Sequence, residues 1–168
     1  LFFISQPQDT RGFVPLNKIA FVNPPRPTLQ IKLDEKVPYV GLPETDDGKI
    51  IEVLFRPYKE VKGRNYFIKD DVLFARIEPS VFNQKYIYVG DLKENDYAFT
   101  STEFYIVKAK EEADQKYIFY MLFTDQVFEQ IKGKTTGSTG RRRLDKSAFE
   151  KTLIPYPNKE TRAKVVDI

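Results

Sequence analysis

Short β-rich runs separated by tight polar turns fill residues 37 to 107, and this spacing limits the fold more than any other feature of the chain. Val37 to Leu42 reads as a strand that ends in the turn signal Glu44 to Gly48. Ile50 to Phe55 follows as a second run, and Asp71 to Ile77 as a third, after the charged turn at Lys69 and Asp70. Tyr86 to Val89 and Glu103 to Val107 come next, with the polar turn Asp91 to Asp96 between them. Runs this short, joined this tightly, predict a twisted, largely antiparallel sheet rather than βαβ units. Fourteen Phe and ten Tyr supply much of the core that such a sheet needs. At 168 residues the chain can bury that core as one domain without staples.

Helical periodicity comes later in the chain, so the predicted class is α+β: a strongly twisted, mostly antiparallel sheet with a few helices. Between Asp114 and Ile131 apolar residues recur at 117, 120, 121, 127, 128 and 131, which predicts one helix with Asp114 as its N-cap. A shorter helix is expected after Asp145, whose side chain can cap it, running through Phe149. The prolines hold Leu153 to Pro157 extended. Asn158 then reads as the cap of a further helix, Lys159 onward, which the sequence cuts off at Ile168; on this reading the chain is a fragment. There is no internal repeat and no low-complexity segment.

Absences narrow the chemistry. Without Cys there are no disulfides, zinc fingers or thiol catalysis, and nothing suggests an oxidising compartment. Without His, the commonest general base and metal ligand is missing. The apolar runs are too short to span a bilayer, and Leu1-Phe2-Phe3-Ile4 lacks the basic flank of a signal peptide. The expected location is cytoplasmic. A net charge of +3 says little by itself, because field effects depend on where charge is clustered.

Charge clusters between Ile131 and Arg143. Lys132, Lys134, Arg141, Arg142 and Arg143 are interspersed with three glycines and with Thr135, Thr136, Ser138 and Thr139, and no acidic residue follows until Asp145. Glycines let a backbone approach a ligand closely. Hydroxyls and amides donate to phosphate, and guanidinium forks bind phosphate or a guanine edge in pairs. A mobile, cationic, hydroxyl-rich loop suits a nucleic-acid backbone; a solvated linker between helices is the plain alternative. The three arginines cannot all read bases, since half or more of protein–DNA contacts go to phosphate and sugar. Lys132 and Lys134 are read as phosphate ligands.

Arg64 and Tyr66, after Lys62-Gly63, form a second basic turn that can line a groove or be an ordinary hairpin loop. Arg76, in an otherwise apolar strand, pairs with Glu78 or Glu103 as a structural ion or else contacts DNA. Ser101 and Thr102 cap a turn or face DNA.

Catalytic patterns are weak. Asn23-Pro24-Pro25 resembles the motif that cradles the target base in amino-methyltransferases, but Arg26 stands where a stacking aromatic is needed and no Gly-x-Gly cofactor turn exists. Glu60-Val61-Lys62 with Asp46 or Asp47 mimics a Mg²⁺ nuclease pattern, whose carboxylates would have to share one metal. A metal-dependent nuclease and a protein-docking module are therefore the alternatives to DNA recognition.

With these residues in view, the sequence resembles the target recognition domain of type I restriction-modification specificity subunits, from residue 14 to 168. The signposts occur in order: Val37-Pro38-Tyr39-Val40 with its Gly41; Asp70 to Pro79; Thr100-Ser101-Thr102-Glu103-Phe104; the helix with Tyr120; Thr136 to Leu144; and Ile154-Pro155-Tyr156-Pro157. Where the family commonly has a Glu-Gln pair after the proline-rich strand, this chain has Glu160-Thr161-Arg162. The same domain also occurs fused to adenine methyltransferases, so both parents stay open.

The resemblance implies a non-catalytic α+β domain that reads a few base pairs of double-stranded DNA, mostly in the major groove. Residues 1–157 would be the recognition domain and 158–168 the start of a conserved spacer or dimerisation helix. It implies two partner proteins: a DNA adenine methyltransferase (modification) subunit, which holds S-adenosylmethionine and flips the adenine, and a restriction subunit, which uses ATP and Mg²⁺ for translocation and cutting. The domain itself would hold no cofactor and no metal.

Overall fold

In the strand Val72–Ala75 every side chain is buried, although alternate side chains of a strand point to opposite faces. Both faces of its sheet are therefore covered. Val72 and Phe74 pack with Tyr105, Val107, Ile118 and Phe149 in one core, while Leu73 and Ala75 pack with Ile87, Phe104 and Ile106 in another. Each fully buried side chain of this size contributes about 1.5–3 kcal/mol. The structure, a computed structural model, describes residues 12–93 and 95–168; residues 1–11 of the expected recognition domain lie outside the described part.

The central sheet runs Ala20–Val22, Phe104–Ala109, Val72–Ala75, Tyr86–Tyr88, antiparallel throughout. Helices Gln115–Leu122, Asp125–Ile131 and Lys146–Glu150 contribute Ile118, Val127 and Phe149 to the core on one of its faces. On the other face lies a second sheet, ordered Leu54–Pro57, Lys36–Val40, Ala98–Thr100, Tyr66–Phe67. It is antiparallel except for one parallel pair, Tyr39 beside Phe99 and Val40 beside Thr100. Val40, Phe67 and Ala98 face the first sheet. Tyr39, Phe99 and Tyr66 face outward and are covered by Tyr58, Leu29 and Ile31. The α+β class with mostly antiparallel sheets is what the sequence predicts.

Two expected elements break. The run 50–55 is not one strand: Lys49–Ile50 closes a small hairpin with Thr45–Asp46, and Leu54–Pro57 joins the second sheet. The Ile51 amide donates to the Glu44 carbonyl (2.9 Å), which turns the chain and leaves Ile51 exposed.

The expected helix 114–131 is two helices, Gln115–Leu122 and Asp125–Ile131. Thr124 between them is extended, at φ −70° and ψ 144°, and its hydroxyl donates to the Met121 carbonyl at 2.7 Å. Thr124-Asp125 is itself a helix-start signal, hidden by an apolar spacing that continues across the break. Nor does the Asp114 side chain cap the first helix; it is buried and accepts from Arg162 and Tyr156. The other two caps form: Asp145 accepts from the Ala148 amide and Asn158 from the Thr161 amide, both at 2.9 Å. Among the described residues no helix is long and apolar enough to cross a membrane.

Candidate nucleic-acid interface

The basic glycine segment folds as a hairpin. Thr135–Thr136 pairs antiparallel with Arg143–Leu144, and residues 137 to 142 form the turn. Its root is buried at Thr135 and Leu144. It extends the line of the central strand: the Leu144 amide donates to the Arg76 carbonyl at 2.7 Å, and the Glu78 amide to the Arg142 carbonyl at 2.9 Å. Below it, the Tyr105 hydroxyl donates to the Leu144 carbonyl at 2.8 Å. Burial pushes that phenol up to about 12. The turn closes through Arg141, whose amide donates to the Ser138 carbonyl at 2.9 Å, and Gly137 takes φ +118°. A side chain at 137 would meet the Arg141 carbonyl oxygen at 2.7 Å, so the close approach needs glycine. The segment expected to be a mobile loop is therefore an anchored hairpin, because its Thr and Arg-Leu ends pair as strands.

The three arginines are not equivalent. Arg143 grips Glu103 with both arms of its fork, Nε at 2.9 Å and Nη2 at 2.6 Å, and this carboxylate raises the arginine's pKa above its ordinary value. Arg142 donates to the Thr135 carbonyl at 2.8 Å and to Glu78 at 3.3 Å. The Thr135 hydroxyl also donates to Glu78, so it is not free to meet a ligand. Arg141 is exposed and, among the described residues, has no carboxylate partner; the same holds for Lys134. Lys132 lies 3.5 Å from Glu129 in an exposed pair of small strength. Thr136, Ser138 and Thr139 are exposed around the tip.

Glu78 and Glu103 were the expected partners of Arg76, and here they hold Arg142 and Arg143 instead. The guanidinium of Arg76 lies 4.7 Å from the Tyr105 ring centroid, a cation–π contact. Periodicity could not assign these partners, because the pairs join residues 40 and 64 positions apart.

The second basic turn connects to the hairpin through Thr100. The Thr100 amide donates to the Asn65 carbonyl at 3.1 Å, and the Thr100 hydroxyl to the Val40 carbonyl at 2.8 Å. Thr100 leads into the turn 101–103, whose Glu103 holds Arg143. Arg64-Asn65 is thus linked to the hairpin through Thr100 and that turn. Ser101 caps it, its hydroxyl accepting from the Glu103 amide at 3.2 Å, while Thr102 is exposed. Tyr66 is committed to packing: its ring meets Tyr97 and Phe99, and its hydroxyl donates to the Pro27 carbonyl at 2.8 Å.

Elsewhere the catalytic patterns do not assemble. Asn23 is used structurally, its Oδ1 accepting from the Ile106 amide at 2.9 Å. Asp46 and Asp47 sit at the small hairpin and Glu60 on the short helix Tyr58–Val61. Among the described residues no three His, Cys, Asp or Glu side chains come together as a metal-holding group.

An α+β domain of two stacked sheets that presents an anchored basic hairpin has the build of a DNA-specificity module. The chain belongs to the family of type I restriction modification DNA specificity domains, whose family model matches residues 16–168. The EcoEI specificity subunit of Escherichia coli is 25% identical over 159 residues, 92% of this chain and 26% of that protein. The EcoAI specificity subunit of the same organism is 24% identical over 156 residues, 90% of this chain and 26% of that protein. The chain thus spans about a quarter of the length of these curated relatives. The HsdS subunit from Thermoanaerobacter tengcongensis shares the fold, with a TM-score of 0.69 at 21% identity over 92% of this chain and 40% of that one. A chain from a type I R-M system structure matches at TM-score 0.70, 22% identity, and the same coverage.

Proposed function

We propose that this chain reads a short stretch of duplex DNA as the target recognition domain of a type I specificity subunit, without catalysing a reaction itself. The observation that carries the reading is the hairpin: Arg142 and Arg143 are clamped by glutamates, the exposed tip offers Arg141, and Lys134 is exposed beside the buried root, both without carboxylate partners among the described residues. Tethered arginines fix the backbone of the tip, so the free Arg141 side chain starts from one fixed position, which base reading requires. In this reading Arg141 meets a base edge or a phosphate, Lys132 and Lys134 meet phosphates, and Thr136, Ser138 and Thr139 donate to either. Thr135, Arg142 and Arg143 act first as supports.

Methylation and cleavage then belong to an adenine methyltransferase subunit and a restriction subunit. S-adenosylmethionine, ATP and Mg²⁺ would be bound there, and the assembly would work in the cytoplasm. The helix Lys159–Val166 would begin the spacer on which the methyltransferase docks.

Two measurements test this. With three phosphates neutralised by the hairpin, log K for a random-sequence duplex falls against log salt with a slope of about −3; binding that ignores salt, or no binding at low salt, overturns the reading. Labelled S-adenosylmethionine added to the purified chain should leave DNA unlabelled, whereas the specificity subunit mixed with its modification subunit should label adenine at a defined sequence. Label incorporated by the chain alone would overturn the non-catalytic assignment.

A further inference from the structure

A second cationic cluster lies outside the hairpin, on the outward face of the second sheet. The Tyr39 ring has the Arg56 guanidinium at 4.2 Å from its centroid and that of Arg64 at 6.0 Å. The register explains the first contact: Arg56 pairs with Val37, which shares a face with Tyr39 two residues on. Neighbouring cations are matched, Arg26 by the buried Asp71 and Lys59 by Asp34 at 2.9 Å. Arg56, Lys62 and Arg64 have no carboxylate partner among the described residues. Beside them opens a cleft of about 290 Å³ between residues 23–29 and 58–66, lined by Arg26, Arg64, Asn65, Tyr58, Tyr66 and Phe99.

A guanidinium stacked on a ring keeps its N–H edge available for a planar or tetrahedral oxyanion, and stacking lowers the entropy lost on binding. The cluster therefore offers a site for an oxyanion such as phosphate. Its place in the fold says which phosphate. Asn65 is hydrogen-bonded to Thr100, and the turn 101–103 joins Thr100 to Glu103 and so to the hairpin.

We propose that Arg56 and Arg64, held by Tyr39, bind backbone phosphates of the duplex flanking the base pairs met by the hairpin. This rests on the DNA-recognition reading and extends its footprint to a wall that sequence alone showed only at Arg64. With these two contacts added, the salt slope steepens from about −3 to between about −4 and −5.

The test is anisotropy on a random-sequence duplex of about 30 base pairs, across a salt series, for the chain and for Arg56→Gln, Arg64→Gln and the double variant. Each single change is expected to reduce the slope by about 0.9, which is about tenfold weaker binding at 0.1 M salt relative to 1 M. The double variant should lose about twice that slope, while Arg64→Lys, which keeps the charge, restores most of it. Unchanged melting temperatures identify the effect as contact rather than folding. Unaltered slopes in all three variants, with the hairpin dependence intact, overturn this proposal alone; absence of DNA binding by the unmodified chain overturns the reading beneath it. Pyrophosphate serves as the second probe. If the variants lose pyrophosphate binding yet keep the DNA slope, the cleft serves a free phosphate ligand and the DNA assignment falls.

Discussion

Three consecutive arginines, Arg141, Arg142 and Arg143, carry the same charge and have three different surroundings, and those surroundings separate their roles. Replacement of Arg141 by Ala removes an exposed side chain that packs on nothing described, so melting temperature should hardly move. If it reads a base, affinity for the target falls by about 1–3 kcal/mol and one position of the site relaxes. Arg143→Ala leaves Glu103 without its bidentate partner, and Arg142→Ala leaves Glu78 sharing only the Thr135 hydroxyl. Both should lower the melting temperature more than Arg141→Ala, and both should weaken binding to all sequences alike. A melting profile and a binding series on the three variants check the order; equal behaviour of all three would remove the distinction between reader and supports. The sequence showed the arginine cluster but offered Glu78 and Glu103 to Arg76, or left Arg76 to DNA; it could not tell which arginine each acid takes. Partner choice depends on register between strands far apart in the chain.

Among the elements, the hairpin depends on Gly137 more than on its hydroxyls. A side chain there clashes with the Arg141 carbonyl and must adopt φ +118°, a strain of about 1–3 kcal/mol. Gly137→Ala is expected to distort the tip, so DNA affinity should fall by tenfold or more while the sheet cores keep near-normal stability. Gly140→Ala, also at positive φ but with open space around its missing side chain, should be milder. Amide exchange of residues 136–141 against those of 72–75 reads the difference; loss of protection in the core strand would mean the hairpin is not a separable element. Element legibility followed a physical rule. Short apolar runs bounded by polar turns, such as 72–75 and 104–109, were readable, and so were side-chain caps at Asp145 and Asn158. The two-residue strands of the hairpin carry no period at all. The break at Thr124 was masked because apolar residues continued at helical spacing on both sides of it.

At the scale of the whole molecule, aromatic rings connect the core to the interface. Tyr86, Phe74, Phe149 and Tyr105 stack in succession, with centroids 3.9, 4.3 and 5.6 Å apart, and Arg76 lies over the last ring. Tyr105 then meets the hairpin root through its hydroxyl. Phenols with raised pKa, Tyr86 and Tyr105 of this column among them, make the fold sensitive to alkali. Burial pushes Tyr88, Tyr105 and Tyr156 up to about 12, and Tyr86 further; at Tyr156 the bond to Asp114 adds to the effect. A phenol whose folded pKa exceeds its unfolded value of 10.0 holds its proton better in the native state. Its contribution is complete below pH 10 and is lost as pH rises through the folded value. Stability should therefore be flat through neutral pH as far as these groups are concerned, then fall steeply between pH 10 and 12. The part of the tyrosinate absorbance that these phenols contribute should rise together with loss of ellipticity rather than before it, since they ionise on unfolding. Tyr105→Phe removes one such phenol and its bond to Leu144, so its alkaline transition should move to higher pH while its stability at neutral pH falls by about 1 kcal/mol. Ionisation of the buried phenols at pH near 10 with ellipticity unchanged would show that the column is open to solvent, and the coupling between core and hairpin would fail with it.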